Sequence, residues 1–416
     1  MKKFFETERN KKIILLLLAM EAFFWGFSIC TRTLFLQSYM VNDYGNGGMD
    51  YFNMLALLGE SDPYCKSANY PAMCFLILKF FYHMIPLEIV KSENGINGMF
   101  LRNYLPAQLP YMIFLMMIII VTYETIKYLY KKNNEKCNPI IPITLILSGP
   151  MMFAIERGNF ILLAFLFSFI YITLYDHSDK RMRIIAYVAL ALAAAIKIYP
   201  AVFGLLTLIK KRHKETILLG ILGITIFIVP FFMFNGIASL RDMLMGITAS
   251  SNLQGNGGCG YNFSMVNLIK IIQLLFSIKI SDKAILIIKV LSILVCILLF
   301  ILAKEEWKKV YALSLIMIWI PEFSYTYTLI FLLIPFILLL NEKENSRWNI
   351  WFLILFVIIL SPYALPVLTD LDITGAKLPL TVPTVIINFA IIILTVVALV
   401  NTLIDFKKEI KEKCIQ

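Results

Sequence analysis

Charge is scarce in this sequence. Only 16% of its 416 residues are Asp, Glu, Lys or Arg, against roughly 25% in an ordinary soluble domain. Histidine is rarer still, at three. His83, His177 and His213 have neither metal-ligand spacing nor the order of a Ser/His/Asp triad. The seven cysteines contain no CxxC and no metal spacing. Most read as small apolar fillers of helices, and a bridge between Cys65 and Cys259, both in candidate exterior loops, stays open. No GxxxxGK loop is present, so soluble-nucleotide chemistry has no visible support. Internal repeats and low-complexity tracts are also lacking.

What is abundant is apolar mass. Hydrophobic residues make up 60% of the chain, and the mean hydropathy is +0.79. One soluble core stops growing at about 250–300 residues. The apolar residues here, about 250, equal about twelve membrane spans of about 20 residues each. A soluble enzyme, a disordered chain, a coiled coil and a nucleic-acid-binding domain are thereby excluded. The fold class expected is all-α: a polytopic membrane protein of about 10–13 transmembrane helices with short exterior juxtamembrane helices, a single integral membrane domain over 1–416. The first apolar run, Ile13 to Cys30, is too long for a signal peptide and reads as a retained span. Two later runs should break: the one from Ile184, which contains Lys197 and Pro200, and the one from Val310, which contains Pro321 and Glu322.

The net charge of +11 would raise the question of nucleic acid in a soluble protein. Here the bases sit in short runs between apolar stretches, at 2–12, 131–136, 180–183, 210–214, 304–309 and 407–413. That is the positive-inside pattern, an orientation signal. Two longer hydrophilic stretches, 32–70 and 235–262, lack the basic excess and are read as exterior loops. One inconsistency follows. If the runs 71–90 and 108–129 each cross once, Lys131 and Lys136 land on the exterior, against the rule.

Polar residues that apolar pressure should have removed carry the most information. Glu21 lies within the first span, where an interfacial depth or a bond to a neighbouring helix would explain it. The segment MDYFNMLALL places Met49, Phe52, Leu55, Ala56 and Leu58 at helical spacing, suited to lying on a membrane surface. Asp50 falls in its first turn, where any helix tolerates an acid and where the dipole favours a carboxylate. In ERGNF, at 156–160, an ordinary turn with a local ion pair stays open beside a functional role for Arg157. Lys197, in AIKIYP, follows an uninterrupted apolar and small run; it either snorkels or meets an acid or a polar cavity. A glycine-rich stretch then runs into Asn262, Phe263 and Ser264, formally a glycosylation sequon.

Taken in order, these segments resemble the GT-C superfamily of polytopic glycosyltransferases, and most closely glycosyltransferase family 87, the polyprenyl-phosphate-mannose-dependent mannosyltransferases. The resemblance rests on Asp50 followed by Gly59, Pro63 and Tyr64, then Tyr70 and Pro71, then Gly158 and Asn159, then Asn262, Ser264 and Met265. Arg157 to Asn159 and Lys197 to Pro200 are also similar to GPI mannosyltransferase I. Ala72 and Phe263 depart from the pattern, and Tyr325 and Tyr327 stand near where the family often has histidines. The resemblance implies a GT-C-like fold. It also implies inverting transfer of a mannose-like hexose from a polyprenyl-phosphate carrier to a lipid-linked or cell-envelope glycan acceptor. The setting implied is the exterior face of a bacterial plasma membrane, among membrane lipids and without nucleic acid. Asp50 would be the catalytic base. Lys197, Arg157 and Tyr199 would bind the donor phosphate, and Tyr64, Tyr70, Asn159, Asn262, Tyr325 and Tyr327 would position substrate. Asp43 and Asp50 do not form a DxD pair, so no metal and no cofactor are expected.

Three other readings remain open. A lipid-linked oligosaccharide transporter or flippase predicts matching broken helices in two halves. An O-antigen-type polymerase or ligase predicts several arginines in one exterior loop, whereas 235–262 holds only Arg241. A non-catalytic scaffold needs neither Asp50 nor Lys197. If the transferase reading holds, Asp50 and Lys197 must converge.

Overall fold

In lipid every backbone polar group must be satisfied internally, which leaves helices as the simplest solution for a chain this apolar. The computed structural model is built of them. It describes residues 2–30, 47–59, 62–66, 68–86, 97–132, 137–255, 260–342, 346–363, 367–369 and 380–415. Among these residues the only sheet is an antiparallel ribbon of Val367–Thr369 with Leu380–Thr381. Five helices are long and apolar enough to cross a membrane: Asn10–Cys30, Leu105–Lys132, His213–Met233, Asp282–Leu302 and Val382–Glu412. The pair Ile140–Leu147 and Gly149–Arg157 adds a sixth when counted as one broken span. Further apolar helices of 10–17 residues accompany them. The protein is an all-α integral membrane protein whose apolar mass is divided between full crossings and shorter segments.

That division bears on the orientation conflict, which assumed two crossings between 71 and 129. The run 71–90 yields the helix Ala72–Tyr82, with 11 residues. At 1.5 Å per residue it spans about 16 Å, half of the roughly 30 Å hydrocarbon core. Among the described residues of this region, Leu105–Lys132 alone is long and apolar enough to cross.

The described chain forms two compact units, one of residues 43–137 with 152–253, the other of 1–42, 138–151 and 254–416. In the first, Lys180–Ile196 packs against Ile161–Leu174 on one side and His213–Ile228 on another. Its buried alanines, 186, 189, 191, 193 and 195, permit that approach. Asp179 caps its start by accepting from the Arg181 N–H at 2.9 Å. The neighbouring basic loops are tied by ion pairs, Arg183 to Glu215 at 2.9 Å and Arg212 to Asp176 at 2.8 Å. The helix ends at Ile196, Lys197 turns extended (φ −138°, ψ 126°), and Pro200 sits in the 3-10 turn Tyr199–Gly204 that follows. The expected break is there.

The helix Met49–Leu57 forms, but it does not present one face to lipid. Tyr51, Phe52, Met54 and Leu55 are buried, and Ala72–Tyr82 and Gly98–Asn103 pack against it. Tyr51, which helical spacing left off the apolar stripe, is fully buried. Its ring lies 4.9 Å from Tyr111, 5.3 Å from Phe114 and 6.4 Å from Phe160. Aromatic packing thus anchors the helix inside the protein. The stretch 235–262, read as a loop, is largely the helix Ile237–Gly255.

In the second unit, Glu306–Trp319 packs against Asp282–Leu302 and Leu333–Leu340. The chain breaks after Trp319 and resumes as the 3-10 turn Thr326–Leu332, which is the break expected at Pro321 and Glu322. Lys308, one of a basic run, is an interior anchor: its Nζ donates to Glu305 and Asn401, each at 2.6 Å. Leu286, Ile287, Leu294 and Ile301 of Asp282–Leu302 face outward, as lipid contact demands. Glu21 is fully buried, and neither of its carboxylate oxygens meets a hydrogen-bond partner among the described residues. Cys65 is an exposed thiol; Cys259, and with it the bridge considered above, lies outside the described residues.

Candidate active site

The site begins at Gly48. Its φ of +69° is the left-handed conformation, and its N–H donates to the Glu156 carbonyl at 2.6 Å. This fixes the start of Met49–Leu57 against the end of Gly149–Arg157 and sets Asp50 in the first turn beside Arg157. Arg157 Nη2 donates to Asp50 Oδ1 at 2.7 Å, and Asn159 Nδ2 donates to Oδ2 at 2.7 Å. Both carboxylate oxygens are thus engaged from one tripeptide. The Asp50 and Arg157 side chains keep 16% and 20% of their surface exposed, so the pair is sheltered yet reachable. Arg157 thus reaches beyond its own tripeptide, to a partner 107 residues away.

Gly158 explains the compactness. Its φ is +62°, and a Cβ there would lie 2.9 Å from Tyr51 Cβ and 3.0 Å from the Tyr111 ring. Only glycine lets the turn press on those aromatics while Arg157 and Asn159 point to the same carboxylate. Asn159, fully buried, also accepts from the Ile161 N–H at 2.9 Å, opening the next helix.

The same Asn159 amide donates to Tyr70 Oη at 3.0 Å. Lys197 Nζ stands 3.9 Å from the centroid of the Tyr70 ring, a cation–π contact. The buried Cys74 thiol donates to the Ile196 carbonyl at 3.4 Å, holding the residue before Lys197. Asp50, Arg157, Asn159, Tyr70 and Lys197 thus form one contiguous network drawn from four separate stretches of sequence. Tyr199, half-buried, opens the 3-10 turn just after Lys197. Tyr64 is buried; its ring meets Phe75, Phe231 and Phe234, and its hydroxyl donates to the Tyr70 carbonyl at 2.9 Å. Burial pushes the Tyr64 phenol up, which keeps it a neutral donor. It touches the network through Tyr70.

The remaining expected residues belong to the other unit. Asn262 is nearly buried, at 4% exposed. Its Oδ1 accepts from the N–H groups of Ser264 at 3.0 Å and Ser324 at 2.9 Å, and its backbone forms a bridge with Tyr325. It brackets two chain segments. The Tyr325 and Tyr327 rings stack at 5.5 Å. Among the described residues no three His, Cys, Asp or Glu side chains are gathered as metal ligands. Sequence reasoning passed over Asp62 and Tyr111. Asp62 sits directly before the Pro63 and Tyr64 of the motif, a position that marked it; Tyr111, within an apolar span, gave no signal.

The family model of glycosyltransferase family 87 matches residues 98–324. The match takes in Arg157, Gly158, Asn159, Lys197, Tyr199 and Asn262, and begins after Asp50, Tyr64 and Tyr70. No curated protein and no solved structure matches the chain.

Proposed function

The chain belongs to glycosyltransferase family 87, and on that premise we propose that it moves a mannose-like hexose from a polyprenyl-phosphate carrier to a lipid-linked or cell-envelope glycan acceptor, at the exterior face of a bacterial plasma membrane. The observation that carries this reading is the network itself. A carboxylate, Asp50, is held between a guanidinium and an amide, and an ammonium, Lys197, is joined to it through Tyr70. Base and cations in one sheltered place are what an inverting transfer with a phosphate leaving group requires.

In the proposed reaction the acceptor hydroxyl attacks the anomeric carbon on the face opposite the phosphate. The new C–O bond forms as the sugar–phosphate C–O bond breaks. Asp50 takes the hydroxyl proton, and the polyprenyl phosphate leaves with the bonding electrons. Arg157 and Lys197 offset the charge that develops on that phosphate. Tyr199 supplies a hydroxyl and a ring for the donor, and Tyr70 and Asn159 keep Asp50 oriented. For Asn262, Tyr325 and Tyr327 the resemblance to the family supports a part in holding substrate. An anionic donor phosphate competes with Asp50 for Arg157, so donor binding frees the carboxylate for its role as base. Both substrates reside in the bilayer, which fits a membrane protein with no nucleotide loop. The reaction as written needs no metal or cofactor.

The test is transfer of radiolabelled hexose from polyprenyl-phosphate hexose by the purified protein in detergent or proteoliposomes. Asp50→Asn should abolish transfer while the protein still elutes as a folded species. Transfer retained in that variant would sink the assignment of Asp50.

A further inference from the structure

Asp62 lies outside the network just described, yet it is 4% exposed. A carboxylate is seldom buried to that degree without a dedicated set of donors. Here Oδ2 accepts from Asn235 Nδ2 and from Ser239 Oγ, each at 2.8 Å, and Oδ1 accepts from the Tyr64 N–H at 3.0 Å. Ser239 Oγ in turn accepts from the Asn235 N–H at 3.0 Å. Three neutral donors, two from the distant 235–239 turn and one from the adjacent Tyr64 backbone, thus close on one acid.

Both ends of this clasp matter. On one side stand Asn235 and Ser239, at the entry to the helix Ile237–Gly255, the second long hydrophilic stretch of the chain. On the other stands Tyr64, whose hydroxyl holds the Tyr70 carbonyl, while the Tyr70 ring carries Lys197 and its hydroxyl meets Asn159. Phe231 and Phe234, just before Asn235, pack on the Tyr64 ring and make the connection stiff. We propose that Asp62 is a positioning residue for sugar transfer: it locks Tyr64 and Tyr70 to the 235–239 turn and so sets where Lys197 and Asn159 stand relative to Asp50. The inference rests on the transferase reading given above.

The chemistry of the clasp allows a swap. In Asp62→Asn an amide NH2 faces the Asn235 amide, donor against donor. In Asn235→Asp two carboxylates face each other. In the double variant the amide now at position 62 would donate to the carboxylate now at position 235. Ser239 would turn to accept, and the Tyr64 N–H would keep a carbonyl partner. Each single change should lower kcat at saturating donor by about tenfold or more, the scale of a buried group left unmatched. The double variant should recover to within about threefold of the parent.

Tyr64→Phe guards against a clasp variant that fails to fold. It cuts only the link to Tyr70 and should lower kcat by about fivefold with the detergent unfolding midpoint nearly unchanged. A double variant no better than the product of its single changes would overturn the proposal, as would full kcat in Tyr64→Phe. Asp50→Asn is run alongside. If it remains active the transferase site is wrong, whereas if it is dead and the swap gives no rescue, only the role of Asp62 fails.

Discussion

Replacing Gly158 by alanine asks whether one turn sets the geometry of the site. The position has φ +62°, and holding a residue with a Cβ there costs about 1 kcal/mol. The added methyl would stand 2.9 Å from Tyr51 Cβ, 3.0 Å from Tyr111 Cε2 and 3.1 Å from Tyr111 Oη. Tyr51 Cβ is fixed to the backbone and cannot swing away. Tyr111 is tethered by its hydroxyl, which donates to the Ile155 carbonyl at 2.8 Å. Overpacking of this kind adds about 1–3 kcal/mol, so Gly158→Ala should destabilise the protein by about 2–4 kcal/mol in all. The control is Gly220→Ala. Gly220 lies within the helix His213–Ile228 with nothing within 4 Å of a built Cβ, and alanine there should be neutral or stabilising by up to about 1 kcal/mol. Thermal unfolding in detergent compares the two, and hexose transfer by the surviving folded fraction shows whether Arg157 and Asn159 have been moved from Asp50. Equal stability and equal activity for the two variants would refute the argument.

Three further outcomes follow from the same geometry. Lys197→Met keeps length and apolar contact but removes the cation over Tyr70; transfer should fall by about 100-fold or more with folding retained, and recovery in Lys197→Arg should be partial, read by initial rates at saturating donor. Asn159→Asp sets a second carboxylate against Asp50, now 2.7 Å from the amide nitrogen, and should cost more activity than Asn159→Ala despite being nearly isosteric. Ser264→Ala removes the cap that accepts from the Asn267 N–H at 3.2 Å and donates to the Glu322 carbonyl at 2.9 Å; the unfolding free energy in detergent should drop by about 1 kcal/mol.

Much of this was legible in the residues because cost leaves a mark. A lysine at the end of an apolar run, a proline and a glutamate inside another, and an acid in a helix first turn each resist the composition around them, and the structure makes a break or a partner at each. Arg157 was legible as unusual but not as the partner of Asp50, because nothing local points to a residue 107 positions away; Gly158 and the aromatic wall behind it bring the two together. Tyr51 was misplaced for a related reason. Spacing assigns a face by polarity, and a tyrosine counts as ambiguous until a ring cluster is there to receive it. In the run 71–90 apolar composition does not reveal that, of the described residues 71–86, only Ala72–Tyr82 is helical. Asp62 was marked by its place before Pro63 and Tyr64, but its role was not legible, because its partners, Asn235 and Ser239, are common residues whose relevance exists only in three dimensions.

The resting partnership of Asp50 bears on how the site works. Arg157 and Asn159 each hold one oxygen of the carboxylate, so an acceptor hydroxyl meets oxygens that already have partners. A phosphate offers Arg157 a stronger, bidentate acceptor, and Lys197, resting on the face of Tyr70, can follow it. On the proposed reading the donor acts on the site as well as supplying the sugar: a phosphate that draws Arg157 away opens Asp50 Oδ1 to the acceptor hydroxyl. Asn159 stays in place, since its side-chain carbonyl is committed to the Ile161 N–H, so it keeps the carboxylate aimed while Arg157 changes partner. An acceptor that arrives before the donor then meets an Asp50 still paired with Arg157, so on the proposed reading the donor is expected to bind first.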